Sequence, residues 1–227
     1  MSALFADDTK VYRTIISVSD CDQLQQALTN LDVWSSDNNI KFNALKYKVL
    51  SVTRKKTPIS YVYCLGSEQL PKVEEEKDLG VTLSSKLLRD SQVNELISKG
   101  NKLLGLPKRT CLSLTDTKVR RTLYLSIVKS KLCYATQVWS PFPNMELSEK
   151  IESVQRRATK WILKTKTGEM SCTQRLLTLE LLPLCYDREV KYLVFFFKAL
   201  YGYINLDIYD YLSFVDHGCT RLAQSDL

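Results

Sequence analysis

The hydrophobic period of this chain changes at Asp90, and the change divides it into two architectures. Up to that point, apolar and β-branched residues come in short runs separated by turn residues. Beyond it they recur every three or four positions as far as Tyr201. A period of two buries one face of a strand and a period near 3.6 buries one stripe of a helix, so one kind of layer cannot serve both parts. The sequence therefore predicts an α+β N-terminal third followed by an all-α helical region.

In the first part, residues 2–15 read as a hairpin: an apolar run through Phe5, a polar turn near Asp7 and Asp8, then Lys10 to Ile16 rich in strand formers. Ser19 and Asp22 resemble a helix-capping pair. Leu24, Ala27, Leu28, Leu31 and Trp34 follow at helical spacing, which predicts a helix over 20–36 ended by Asn38-Asn39. Phe42 to Thr53, Tyr61 to Leu65 and Leu79 to Leu83 favour strands, with Pro58 and Gly66 as punctuation.

In the second part, Val93, Leu96, Ile97, Gly100, Leu103 and Leu104 share one helical face, and Pro107 is expected to stop that helix. Another helix is predicted from Thr115 to Tyr134, separated by Pro141 and Pro143 from one over 147–164. There Leu147, Ile151, Val154, Ala158 and Trp161 face one way, while Lys150, Arg157, Lys160 and Lys164 fall on nearly the opposite side. Thr173 to Leu182 and Cys185 to Tyr201 read as two more helices split by Pro183, and the tail after Asn205 is weakly patterned.

Composition narrows the chemistry. Seven Gly leave little room for a glycine-rich phosphate loop, and the one His, His217, excludes a His-rich metal site. The seven Cys form no C-x-x-C pair and no paired short spacings, which points to a reducing intracellular compartment, nuclear or cytoplasmic residence being left open. The most apolar stretch, Tyr192 to Ile204, carries Lys198 and is shorter than the ~20 residues of a membrane span, so no membrane partner is expected. The net charge of +7 is uneven: residues 84–170 carry +10, against −1 before them and −2 after. A polyanion-facing surface is expected in that middle segment.

Adjacent carboxylates at a turn are common in their own right. Here, however, Phe5-Ala6-Asp7-Asp8 resembles the catalytic hairpin of reverse transcriptases, and further segments extend the likeness in order. Asn43-Ala44-Leu45-Lys46 with Val49-Leu50, and Lys77-Asp78-Leu79-Gly80-Val81, are similar to segments of LINE-type, jockey-like non-LTR retrotransposon polymerases. So are Tyr134-Ala135-Thr136-Gln137-Val138-Trp139-Ser140-Pro141, Val154-Gln155-Arg156-Arg157-Ala158-Thr159-Lys160, Arg175-Leu176, Leu181-Leu182-Pro183-Leu184 and Phe196-Phe197-Lys198.

The resemblance implies a partial palm over 1–83, thumb-like helices over 84–135 and a C-terminal helical region over 136–227 with a weakly ordered tail. It implies a site for two Mg²⁺ (or Mn²⁺) ions in the complete polymerase, with Asp7 the shared ligand, Asp8 a supporting carboxylate and Lys46 beside the incoming triphosphate. Phe5, Lys77, Asp78 and Gly80 would border the primer end. Lys99, Lys102, Lys108, Arg109, Arg120 and Arg121 would follow a template–primer duplex along its phosphates, and Arg156, Arg157 and Lys160 would hold template RNA or a DNA target strand. A complete polymerase of this type also carries, ahead of the hairpin, fingers and a strand with another metal-binding Asp. None of these fits before Met1, so the chain alone is expected neither to hold the ions tightly nor to polymerise, and the upstream polymerase half joins RNA and DNA as an expected partner. Two alternatives stay open: a non-catalytic module for RNA or RNA–DNA duplex, and a decayed remnant without selected function.

Overall fold

The computed structural model describes residues 2–5, 8–40, 42, 43, 46–166, 168–207, 211 and 212; of 2–5 and 8 it describes the backbone alone. The chain forms two compact units, Met1–Gln92 and Val93–Leu227. The first is mixed α and β and the second is helical among the described residues. No helix among those residues is long and apolar enough to cross a membrane.

The first unit opens with an antiparallel hairpin, β1 (Ser2–Phe5) and β2 (Asp8–Val11), in which Phe5 pairs with Asp8. Asp8 is therefore the first residue of β2 and not a turn residue, and that strand is shorter than its composition suggested. Helix α1 (Val18–Asp37) starts two residues earlier than predicted because Ser17 and Asp20, not Ser19 and Asp22, make the cap. The Asp20 carboxylate accepts the N–H groups of Ser17 (2.9 Å) and Ile16 (3.1 Å), with the Ser17 hydroxyl and the Arg13 Nε as further donors. Those backbone donors hold its carboxyl well below the usual range, at about 2.

The remaining strands are short. β3 (Val49–Leu50) pairs in parallel with β6 (Lys72–Val73), and β4 (Cys64–Leu65) pairs with β5 (Glu68–Gln69). Cys21, Tyr63, Leu65 and Leu70 form the buried core of the unit, with Leu24, Leu28, Tyr47 and Tyr61 packed against it. The Gln25 amide ties α1 to β4, donating to the Cys64 carbonyl and accepting its N–H, both at 2.9 Å. The strand expected from Leu79 to Leu83 starts two residues later. Lys77 and Asp78 end β7 (Glu75–Asp78), Leu79 and Gly80 form the turn at φ +45° and +83°, and Val81 opens β8 (Val81–Ser84). Two consecutive positive φ angles give the turn the twist a two-residue hairpin requires.

In the helical unit, α2 (Asp90–Thr110) runs past Pro107. A proline this near the end forfeits one intrahelical hydrogen bond, and the Cys111 N–H closes on the Pro107 carbonyl at 3.0 Å. A Cβ at Gly100 would meet the Leu132 side chain at 3.0 Å and Val154 at 3.4 Å, so glycine permits the close approach at that crossing. The predicted 115–134 helix is α3 (Thr117–Leu123), a π-helical segment (Tyr124–Lys129) and α4 (Ser130–Leu132). A short α5 (Thr136–Trp139) precedes α6 (Met145–Leu163), α7 (Cys172–Thr178) and α8 (Leu184–Leu200). α6 packs against α3, α7 and α8. Its Ile151, Val154, Ala158 and Ile162 are buried together with Tyr124, Val128, Leu132 and Trp139.

Candidate nucleic-acid interface

Asn144 starts α6 by accepting the Leu147 N–H at 3.1 Å, which sets the phase of the helix. With the apolar stripe committed to the core, Ser153, Arg156, Arg157 and Lys160 fall at i, i+3, i+4 and i+7 on a neighbouring face. They line a cavity of about 470 Å³ whose other wall is Gly168, Met170 and Arg175. Arg175 arrives there because Ser171 and Gln174 form a reciprocal cap that fixes the start of α7. Gly168 turns the incoming chain at φ +96°, a conformation that disfavours any side chain.

The cations of this cavity are held in different ways. Arg175 is 4% exposed; its Nε donates to the Thr159 hydroxyl at 3.1 Å and its Nη1 to the Met170 carbonyl at 2.6 Å. Thr159 passes its own proton to the Arg156 carbonyl at 3.0 Å, so both walls belong to one hydrogen-bonded chain. Arg156 is ion-paired with Glu149. Arg157 lies along its own helix, its Nε 3.3 Å from the Ser153 carbonyl and its Nη2 3.3 Å from the Ser153 hydroxyl. Lys108 of α2 is not in the lining, but the Arg157 charge reaches it; burial first, and that charge second, push its ammonium below the ordinary lysine range. No acidic side chain among the described residues lines the cavity.

Arg156, Arg157 and Lys160 thus share one cavity, with Lys108 within reach of the Arg157 charge, while the other basic candidates are elsewhere. Lys99 pairs with Glu95 at 2.5 Å across one turn. Lys102 and Arg109 are exposed, with the Arg109 guanidinium lying over Gly105, where a Cβ would meet its Nη1 at 2.8 Å. Arg120 departs from the sequence reading, because its side chain is an interior strut and not a surface cation. It is 4% exposed, stacks on the Trp161 ring at 5.3 Å, and donates to the carbonyls of Trp161 (2.8 Å) and Leu114. Arg121 likewise spends its Nε on the Leu179 carbonyl at 2.6 Å, tying α3 to the end of α7. Arg175, Gly168 and Met170 were absent from the sequence-based site. Only the Ser171-x-x-Gln174 cap, which puts Arg175 in the first turn of α7, could have signalled them.

At the N-terminal hairpin, Asp7 and the side chains of Phe5 and Asp8 lie outside the described residues, as does His217. Lys46 is exposed and its N–H meets the Asn43 carbonyl at 2.9 Å. Asp78 is ion-paired with Lys10, and Lys77 and Gly80 belong to the β7–β8 hairpin. Among the described residues no three His, Cys, Asp or Glu side chains cluster as metal ligands. Neither family models, curated proteins nor solved structures match this chain.

Proposed function

We propose that this chain is the C-terminal part of an RNA-directed DNA polymerase of the non-LTR retrotransposon type, and that its helical unit holds nucleic acid by the phosphate backbone. The observation that carries this reading is the meeting of Arg156, Arg157, Lys160 and Arg175 about one concave surface with no acidic residue among the described residues of its lining, with the Lys108 charge felt at Arg157. Four cations so arranged repel one another, a cost that a polyanion removes. The ordered sequence motifs supply the polymerase context. Asp7 and Asp8 would hold Mg²⁺ in the complete enzyme, and Asp7→Asn should abolish dNTP incorporation by a longer polymerase containing this segment.

Salt dependence of binding to an RNA–DNA hybrid tests the reading. Lys108, Arg157 and Lys160 have no carboxylate partner among the described residues. With the slope of about −0.9 per phosphate contact of B-form DNA carried over to the hybrid, these three predict log affinity falling against log salt by roughly −2.7. Arg157→Ala with Lys160→Ala should flatten the slope by about 1.8. Binding that is absent, or a slope the double variant leaves unchanged, would refute it and favour a remnant without this function.

A further inference from the structure

Arg175 poses a problem of charge. A guanidinium never deprotonates in a protein, and buried charges are paired because desolvation costs several kcal/mol. The other two buried arginines of the helical unit each have a compensating partner, one a carboxylate and one an aromatic face. Arg188 lies 3.8 Å from the Glu152 carboxylate, and Arg120 lies on the Trp161 ring. Arg175 has neither: its partners are a hydroxyl and a carbonyl, both neutral, and no carboxylate among the described residues pairs with it. The charges nearest to it across the cavity, on Arg156, Arg157 and Lys160, are of its own sign.

We propose that the cavity between α6 and the 168–175 segment is a phosphate site, in which one phosphate group of a nucleic-acid strand is the counter-ion of Arg175. This rests on the nucleic-acid reading above and names the place where a strand is gripped. Arg175 forms the rigid wall, since Thr159 and Met170 hold two of its three nitrogens and leave no freedom to the guanidinium plane. Arg157 and Lys160 supply the opposite wall from a single helix face. Arg157, bonded only weakly to Ser153 at 3.3 Å, can exchange those contacts for charge-assisted ones. A carboxylate ligand would satisfy one guanidinium fork, whereas a tetrahedral phosphate offers oxygens to both walls at once. At about 470 Å³ the cavity also falls in the size range of small-ligand pockets, so a sugar can enter with the phosphate. Gly168 leaves that wall bare, with no atom within 4 Å of where its Cβ would be.

The test uses the full chain and two probes. Inorganic pyrophosphate, at about a hundredfold excess over its dissociation constant, should raise the melting temperature by ~5 °C against sodium chloride of equal ionic strength. The Arg157→Ala/Lys160→Ala variant, which alters the partly exposed wall and keeps the core, should lose that shift while matching the parent circular dichroism. Arg175→Lys serves as the second variant: the charge stays but the planar fork is lost, and at least half the shift should go. No shift above the salt control, or an equal shift in Arg157→Ala/Lys160→Ala, overturns the site. A ~12-nucleotide RNA with a 5′-phosphate or a 5′-hydroxyl then identifies the source of the phosphate. A tenfold preference for the 5′-phosphate that the double variant abolishes assigns a strand end, and equal affinities weakened equally by the variant assign an internal phosphodiester. Pyrophosphate stabilisation without any RNA binding would keep the anion site but overturn the strand as its ligand, and with it the nucleic-acid reading. Strand binding with the predicted salt slope but no pyrophosphate effect would overturn the site alone.

Discussion

Glu152 ties α6 to α8 at three residues with one carboxylate, and its replacement should be among the costliest polar changes in the helical unit. From α6 it accepts the N–H groups of Leu184 (3.1 Å) and Cys185 (2.6 Å) at the start of α8, where Pro183 offers no capping side chain. It also faces Arg188 at 3.8 Å, with side-chain exposures of 16% for Glu152 and 4% for Arg188. At that separation and an effective dielectric of 20, the attraction is about 4 kcal/mol, most of it offsetting desolvation. Glu152→Gln keeps one acceptor for the α8 terminus but strips Arg188 of its counter-charge. Arg188 would retain only the Ser148 hydroxyl at 2.7 Å, its Nη1 having no partner even in the parent. We expect a loss of about 3 kcal/mol for Glu152→Gln and about 4 kcal/mol for Glu152→Ala. Because a neutral pair leaves no charge stranded, Glu152→Gln/Arg188→Met should cost at least ~1.5 kcal/mol less than the two single changes together. Urea unfolding in a Trp34→Phe background reads this from Trp139 and Trp161, both in the helical unit. A Glu152→Gln cost below about 1 kcal/mol, or strictly additive effects, would refute the argument that Arg188 depends on this carboxylate.

Other consequences are equally open to measurement. Since the Asp20 carboxyl lies near 2 in the folded chain against an ordinary 3.8, the native state holds fewer protons than the unfolded one between those values. Its contribution to α1 is therefore complete above about pH 4 and is lost as pH falls through 2, and Asp20→Asn should remove that acid-dependent step from amide exchange at the first turn. Leu79→Asn should stabilise the β7–β8 hairpin by about 0.5–1 kcal/mol, because asparagine tolerates the positive φ that leucine is forced to adopt. Reduced chemical-shift dispersion at β7, or a loss of stability, would contradict the turn geometry. Burial and a hydrogen bond to Asp187 (3.2 Å) push the Cys133 thiol up to about 12, whereas Cys185 is exposed. Iodoacetamide at pH 8 should modify Cys185 and spare Cys133, as read by peptide mass; equal labelling would mean that the Cys133 site opens.

The helices were legible because a period of 3.6 depends only on which face must be dry. The apolar stripe of α6 reads directly from Leu147 to Ala158, and the proline breaks at 141, 143 and 183 fall between helices. Pro107 misled because a proline stops a helix only if several bonds are still to be made. The 79–80 turn was hidden for a related reason. Leucine carries no turn signal, and its positive φ is imposed by the pairing of β7 with β8. The basic residues divide according to tertiary surroundings. Arg156, Arg157 and Lys160 share a helical face that can be counted from sequence, but nothing local distinguishes Arg120, whose guanidinium goes inward to Trp161, from a surface arginine. Arg175 was invisible as a site residue because its cavity exists only once α7 has packed on α6.

The π-helical stretch at Tyr124–Lys129 gives this helix a property that no substitution can reproduce. A π turn holds one more residue than the α turn it replaces, so side chains after it are displaced by about 100° from where an unbroken helix would carry them. Ahead of the stretch, Arg120 and Arg121 are aimed at Trp161 and at Leu179. At its end, Lys129 bonds Asp187 at 2.9 Å, and beyond it Cys133 meets the same carboxylate. One rod thus serves two neighbours that lie out of phase with each other, and the extra residue is the phase correction. Removing Ser126, an exposed residue whose side chain bonds only the preceding turn of its own helix, would leave a more regular helix that meets only one of its two partners. At this point in the chain, the number of residues matters more than their identity.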